Sequence, residues 1–257
     1  MPTTDPLDPQ QLADYLAAHA IAGNVATPRE SNLENIASML DGGLDDTFGL
    51  TPAAHWTTAS VLAVMAEKVG VSGDPGHLSG QDTIDPLRTV AALDRLRDRL
   101  ALAVSRRERV LFATGHPVGL LALHIQFAST LAERGCEVAR IGAGLGFRRE
   151  DGKARDIRYV ANVAVSGCDG NLEHTHRPDL MNLLLKEDVP RPDLVVADHG
   201  WAGAAAEAGL SVVGFADCND PALFVAEAEG RIEVVVPLDD SVAPHLYAVL
   251  GDYVLKP

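Results

Sequence analysis

Arg109-Val110-Leu111-Phe112-Ala113-Thr114-Gly115-His116-Pro117 decides the fold class. Val110 to Ala113 form a short unbroken apolar run, and Gly115 and Pro117 punctuate its end. Continuous rather than alternating apolar residues predict a strand covered on both faces. The same rhythm recurs downstream. A helix is predicted over 118–134, ended by Gly135, then strands over 136–141 and 157–165 with a hairpin or loop over 142–156. A short helix over 178–186 precedes a strand over 194–197, a helix over 201–208 and a strand over 211–216. A helix over 221–229, a strand over 232–236 and a final helix over 243–255 complete the series. Such alternation predicts an α/β fold with a mostly parallel, doubly wound, Rossmann-like sheet.

Upstream the pattern is helical. Helices are expected over 10–22 and 30–40, and another from Thr51-Pro52 to Val69, because Pro suits a first helical turn. Residues 72–82 read as a polar loop, and a long amphipathic helix follows over 85–105. The expected organisation is therefore a helical N-terminal region, 1–106, packed on or beside an α/β domain, 107–257, that carries the site.

The 257 residues include 36 Asp and Glu against 21 Lys and Arg, a formal net charge of -15. With no long basic run, that balance argues against nucleic acid as a partner and chiefly favours solubility. Cys136, Cys168 and Cys218 are scattered, with no CxxC pair and no sign of a disulfide framework, which suits a reducing cytoplasm. The first five residues show neither a basic nor an apolar signal segment, and no apolar stretch has membrane-spanning length, so no membrane association is expected. Oligomerisation is left open.

Three predicted strands end alike: Ala113-Thr114, Ala197-Asp198 and Ala216-Asp217. A small residue leaves room for the chain to turn, and a polar one emerges at the carboxyl edge, where open α/β sheets bind ligands. Pro237-Leu238-Asp239-Asp240 joins them if the last strand is parallel. Asp198 and Asp217, with Asn219 and Asp220 in support, offer the oxygen ligands that Mg²⁺ or Mn²⁺ prefers. The plainer alternative makes Asp198 and Asp220 helix caps. In the loop Thr114-Gly115-His116-Pro117-Val118-Gly119, Thr114, Gly115 and Gly119 suit an anion at a helix N-terminus, and His116 suits a phosphate contact or proton donor. His199 is a further candidate proton donor or substrate contact. Cys218, between carboxylates, makes a poor nucleophile. His174-Thr175-His176 is either a ligand pair or an idle surface loop, and His19, His55 and His124 read as packing groups. Arg29 and Arg88 could clamp a phosphate or simply pair with a nearby acid.

Seven segments together resemble a bacterial, largely actinobacterial, family labelled "phosphatase". They are Val25-Ala26-Thr27-Pro28-Arg29-Glu30, Asp82-Thr83-Ile84-Asp85-Pro86, Leu111-Phe112-Ala113-Thr114-Gly115-His116-Pro117, His174-Thr175-His176, and the stretches 193–204, 214–229 and 234–240. The resemblance implies phosphoester hydrolysis without naming a substrate. Asp217-Cys218-Asn219-Asp220 departs from the Asp-x-Asp start of haloacid-dehalogenase-type phosphatases. Neither a Cys-x5-Arg loop nor an Arg-His-Gly string occurs. Metal-assisted attack by water on a small phosphorylated metabolite is therefore the leading expectation. In it Asp198, Asp217, His116 and His199 do the chemistry. The alternatives are a metal-free sugar-phosphate isomerase or transferase, and a non-catalytic metabolite-binding module.

Overall fold

The computed structural model describes residues 7–256; the first five residues, where no signal segment is expected, lie outside them. The chain opens with α1 (Pro9–Ala18), β1 (Gly23–Pro28), α2 (Arg29–Leu40), α3 (Thr58–Lys68), β2 (Gln81–Ile84) and α4 (Pro86–Arg106). It continues through β3 (Arg109–Thr114), α5 (Pro117–Glu133), β4 (Glu137–Val138), β5 (Gly146–Arg148), β6 (Ala154–Val160), β7 (Val163–Cys168) and β8 (Asn171–Glu173). Then come α6 (Asp179–Leu184), β9 (Leu194–Asp198), α7 (His199–Glu207), β10 (Val212–Ala216), α8 (Pro221–Ala228) and β11 (Val234–Pro237). A 3₁₀ turn, Pro244–Tyr247, leads into α9 (Ala248–Val254). Among these helices, none is long and apolar enough to cross a membrane.

The main sheet runs β11-β10-β9-β3-β7-β6-β5, with β4 beside the start of β3 and β8 beside the end of β7. β11, β10, β9, β3, β4 and β7 are parallel, whereas β5, β6 and β8 are antiparallel additions. The fold is thus α/β with a large, mostly parallel sheet. From β3 the chain steps outward to β4 and β7, then returns to β9 and steps the other way to β10 and β11. With one crossover handedness, this reversal sends α5 to one face and α7 and α8 to the other. α4, α5 and α9 pack together, with α4 also against β11, while α6, α2 and α3 lie behind α7 and α8. Strands β9, β10 and β11 are buried at every residue, as their unbroken apolar runs require. The reversal between β3 and β9 marks the switch point at whose carboxyl edge open α/β sheets bind ligands.

Four expectations are corrected. The run 157–165 is not one strand but a hairpin, β6 to β7, turning at Ala161 and Asn162 with φ 44° and 72°. Two consecutive positive φ values give the tight turn whose twist matches the flanking strands, and Ala161 carries no turn signal in its side chain. α3 starts after Thr57, which shares a reciprocal cap with Ser60, and not at Thr51-Pro52. The backbone N–H groups of Thr51 and Ala53 are taken by Glu207 and Glu229, so that segment is tied across α7 and α8 instead of coiling. The N-terminal region is also not wholly helical, since β1 and β2 form a separate antiparallel pair. Finally, the strand expected over 136–141 shrinks to Glu137–Val138.

A candidate metal centre at the strand ends

The carboxyl edge of the sheet at this switch point gathers His116, His124, His174, His176 and His199 with Asp198, Asp217, Asp220, Asp239 and Asp240. Asp198 ends β9, and His199 follows it in the left-handed region at φ 46°. A non-glycine residue held there costs about 1–3 kcal/mol and persists only when its surroundings enforce it. Here the enforcement is visible. A Cβ at the next residue, Gly200, would overlap the carbonyl oxygens of His176 and Arg177, so only glycine lets α7 start this close.

Asp198 is completely buried. Its Oδ1 accepts hydrogen bonds from the Gly115 N–H at 2.7 Å and from His199 Nδ1 at 2.9 Å, while Oδ2 meets His124 Nε2 at 3.1 Å. With Nδ1 held by Asp198, His199 turns Nε2 towards Asp240 Oδ2 at 3.4 Å and Asp220 Oδ2 at 3.7 Å. Asp240 Oδ2 also lies 3.3 Å from His116 Nδ1. That separation lacks hydrogen-bond geometry, and His116 Nδ1 is left buried without a partner.

The 174–176 segment crosses this floor because the Thr175 N–H donates to the Gly115 carbonyl at 2.9 Å. His174 thereby comes to His116, with ring centroids 4.3 Å apart, and His176 to His199 at 4.6 Å. On the far side, Asp217 accepts from the Cys218 N–H at 2.6 Å and from Thr27 Oγ1 at 2.7 Å. Asp239 accepts from the N–H groups of Ser241 at 2.9 Å and Ala26 at 3.3 Å, so β1 forms a wall of the site.

Charge crowding shifts the ionisations in opposite directions. Burial works against the His199 cation, yet Asp220, Asp198 and Asp240 outweigh it and push its pKa up to about 10. Burial likewise opposes ionisation of Asp198, but the hydrogen bonds from His124 and His199 hold it below the usual carboxylate range. His116 is raised by Asp240 against its own burial, and Asp240 is lowered by His116 and His199 against its own. Asp217 is pushed well up by burial and by Asp240, Asp220 and Asp239, and burial lifts Asp220 to about 7. Burial and the neighbouring imidazoles lower His174 to about 4, and burial with His199 lowers His176. Among the described residues, no Lys or Arg forms an ion pair with Asp198, Asp217, Asp220, Asp239 or Asp240; histidines are their only basic partners.

Three sets place ligand atoms within 4.8 Å of one another and could each hold a cation: His116, His174 and His199; His199, Asp220 and Asp240; and Asp217, Asp239 and Asp240. Asp198 belongs to none of them, and its two oxygens face His199, His124 and Gly115. It occupies the N-cap position of α7 but makes no capping hydrogen bond, and Asp220 stands in the same relation to α8. The backbone carbonyl oxygen of Asn219 accepts from Asn35 Nδ2 at 2.7 Å.

The loop expected to cradle an anion has its donors turned inward. The Gly115 N–H goes to Asp198, and the His116 N–H goes to Thr114 Oγ1 at 3.0 Å. Gly115 and Gly119 serve close packing instead, since a Cβ would strike the Thr175 carbonyl from Gly115 and the Asp240 carbonyl from Gly119. Arg29 is fully buried and binds Asp82 at 3.1 Å, with further bonds to the carbonyls of His77 and Asp74. It clamps the loop preceding β2. Arg88 pairs with Asp85 at 3.6 Å on the surface, so neither arginine joins the cluster.

His124, a packing group by its place on a helix face, sits against Asp198, and Thr27, beside Arg29 in sequence, donates to Asp217. Asp239 and Asp240, expected here only if the last strand is parallel, also reach the edge. The signal was available for that pair, because a parallel last strand delivers them to this edge.

The family model described as Phosphatase matches residues 7–257, and the chain belongs to that family. It is also similar to Phosphatase SCO2771 of Streptomyces coelicolor, 48% identical over 251 residues, which cover 95% of this chain and 94% of that protein.

Proposed function

We propose that the protein is a metal-dependent phosphoric monoester hydrolase acting on a small phosphorylated metabolite. The observation that carries the reading is the set of five buried carboxylates interleaved with imidazoles and paired with no Lys or Arg among the described residues. Such a cluster repels a phosphate dianion unless cations balance it. The orphaned Nδ1 of His116 and the lone pairs left on Asp217, Asp220, Asp239 and Asp240 suit Mn²⁺ or Mg²⁺, with imidazole favouring the transition metal. A bound cation would supply Lewis-acid stabilisation of the phosphoryl oxygens and a lowered pKa for the attacking water.

The chain's own residues then have distinct tasks. Asp198 fixes the tautomer and aim of His199, the role a carboxylate plays behind a ligating histidine. His176 lies outside all three ligand sets, and its Nδ1 faces the Asp45 carbonyl at 3.1 Å. Donation there leaves Nε2 as the bare nitrogen, and burial together with His199 lowers the pKa of the ring and so favours its neutral form. His176 is thus suited to take the proton from the attacking water and return it to the departing alcohol oxygen as the P–O bond breaks. His174 is the exposed member of the cluster, so the approach favours the terminal phosphoryl group of a small molecule.

The test is release of inorganic phosphate from a panel of phosphorylated metabolites with Mn²⁺ or Mg²⁺ and with a chelator. Chelator-sensitive turnover of some members supports the reading. Turnover that ignores the chelator counts against it.

A further inference from the structure

We infer that the cluster is a two-cation centre in which Asp240 bridges a histidine-rich position and an all-carboxylate position. The inference rests on the metal-dependent reading above and adds the number and kind of ions. The three ligand sets form a chain: the first two share His199, and the last two share Asp240. Asp217 and Asp239 are grouped with neither His116 nor His174. Ligand atoms on one ion, each about 2.1 Å from it, lie at most roughly 4.2 Å apart, so a single ion does not gather the whole chain.

The two ends also differ in chemistry. His116, His174 and His199 present imidazole nitrogen, which suits Zn²⁺, Mn²⁺ or iron, whereas Asp217 and Asp239 present only oxygen, which suits Mg²⁺ or Mn²⁺. Each oxygen-end carboxylate already accepts protein hydrogen bonds that hold it in place, from Thr27 and Cys218 on Asp217 and from Ala26 and Ser241 on Asp239. Carboxylate oxygens carry further lone pairs, so these bonds orient the groups without saturating them.

An independent observation marks the junction. His116 is only 8% exposed, yet its Nδ1 has no hydrogen-bond partner and lies 3.3 Å from Asp240 Oδ2. A buried donor or acceptor left unmatched beside a carboxylate is accounted for when both bind one ion. A pair of cations there would suit an in-line displacement at phosphorus by stabilising both the attacking and the leaving oxygen.

The experiment loads the full-length, chelator-stripped protein with Mn²⁺, removes free ion, and counts bound manganese per chain by elemental analysis. Electron paramagnetic resonance is recorded on the same samples. Two ions per chain with a spin-coupled signal are expected. Asp217→Asn is expected to keep one ion and lose the coupling, and Asp239→Asn to do the same if the first variant does not fold. One ion in the wild type overturns the two-cation inference but leaves metal dependence standing. No bound ion overturns both. Two ions retained by a folded Asp217→Asn variant, with coupling intact, overturn the placement of the second ion.

Discussion

Asp198 holds its own neighbour in sequence: Oδ1 accepts the His199 Nδ1 hydrogen bond at 2.9 Å while Oδ2 meets His124 at 3.1 Å. The pair sits where a strand becomes a helix, and the positive φ of His199 is what lets an adjacent side chain fold back onto Asp198. The Asp198 carboxylate therefore works by aiming His199.

Replacing Asp198 with Asn keeps the shape but cannot accept from Gly115, His199 and His124 together. Metal affinity or kcat/KM is expected to fall about 10–100-fold, the usual loss when a residue behind a ligand is removed. His124→Gln should weaken metal binding in the same direction. Titration of the stripped variants with Mn²⁺ checks both.

The effect of pH on the metal-free protein follows from two raised pKa values. His199 moves from 6.5 to about 10, so its stabilising contribution is complete below 6.5 and disappears as pH climbs through about 10. Asp220 moves from 3.8 to about 7, and its contribution is likewise lost as pH rises through that window. Both make the stripped protein less stable towards alkaline pH. Cations bind the deprotonated ligands, so the rise in Tm produced by Mn²⁺ should be larger at about pH 8 than at about pH 6. Thermal unfolding with and without the ion measures it.

Gly119→Ala places a methyl group against the Asp240 carbonyl oxygen. Overpacking at such a contact costs about 1–3 kcal/mol and should displace the Asp240 loop. Lower Tm together with weaker metal binding is expected, where a purely structural glycine would change Tm alone.

The two arginines separate sharply. Arg29 is 0% exposed on Asp82, which is 3% exposed, so Arg29→Ala leaves a buried carboxylate unpaired and should cost about 3–5 kcal/mol. Arg88 and Asp85 are 42% and 43% exposed, and breaking that pair should cost at most about 1 kcal/mol. Urea denaturation of both variants distinguishes them.

The parallel strands were legible because burial on both faces writes an unbroken apolar run, as in Val110 to Ala113 and Leu194 to Ala197. The β6–β7 turn was only half announced: Asn162 is a residue that tolerates positive φ, but Ala161 before it takes the same conformation with no sign in its side chain. At the site, Asp217, Asp220, His116 and His199 could be picked out, since strand ends converge on one edge of an α/β sheet. His124 could not, because a histidine on a helix face looks the same in sequence whether it packs or holds a carboxylate. Arg29 carried two readings for the converse reason: sequence shows its charge but not the Asp82 that buries it.

The most direct test of the central claim is phosphate release by chelator-stripped protein before and after Mn²⁺ is restored, with Asp240→Asn measured alongside. Turnover should vanish on stripping, return with the ion, and stay low in the folded variant, because Asp240 faces both His116 and His199. Full activity in the stripped protein, or wild-type turnover in Asp240→Asn, would contradict a catalytic metal centre at these strand ends.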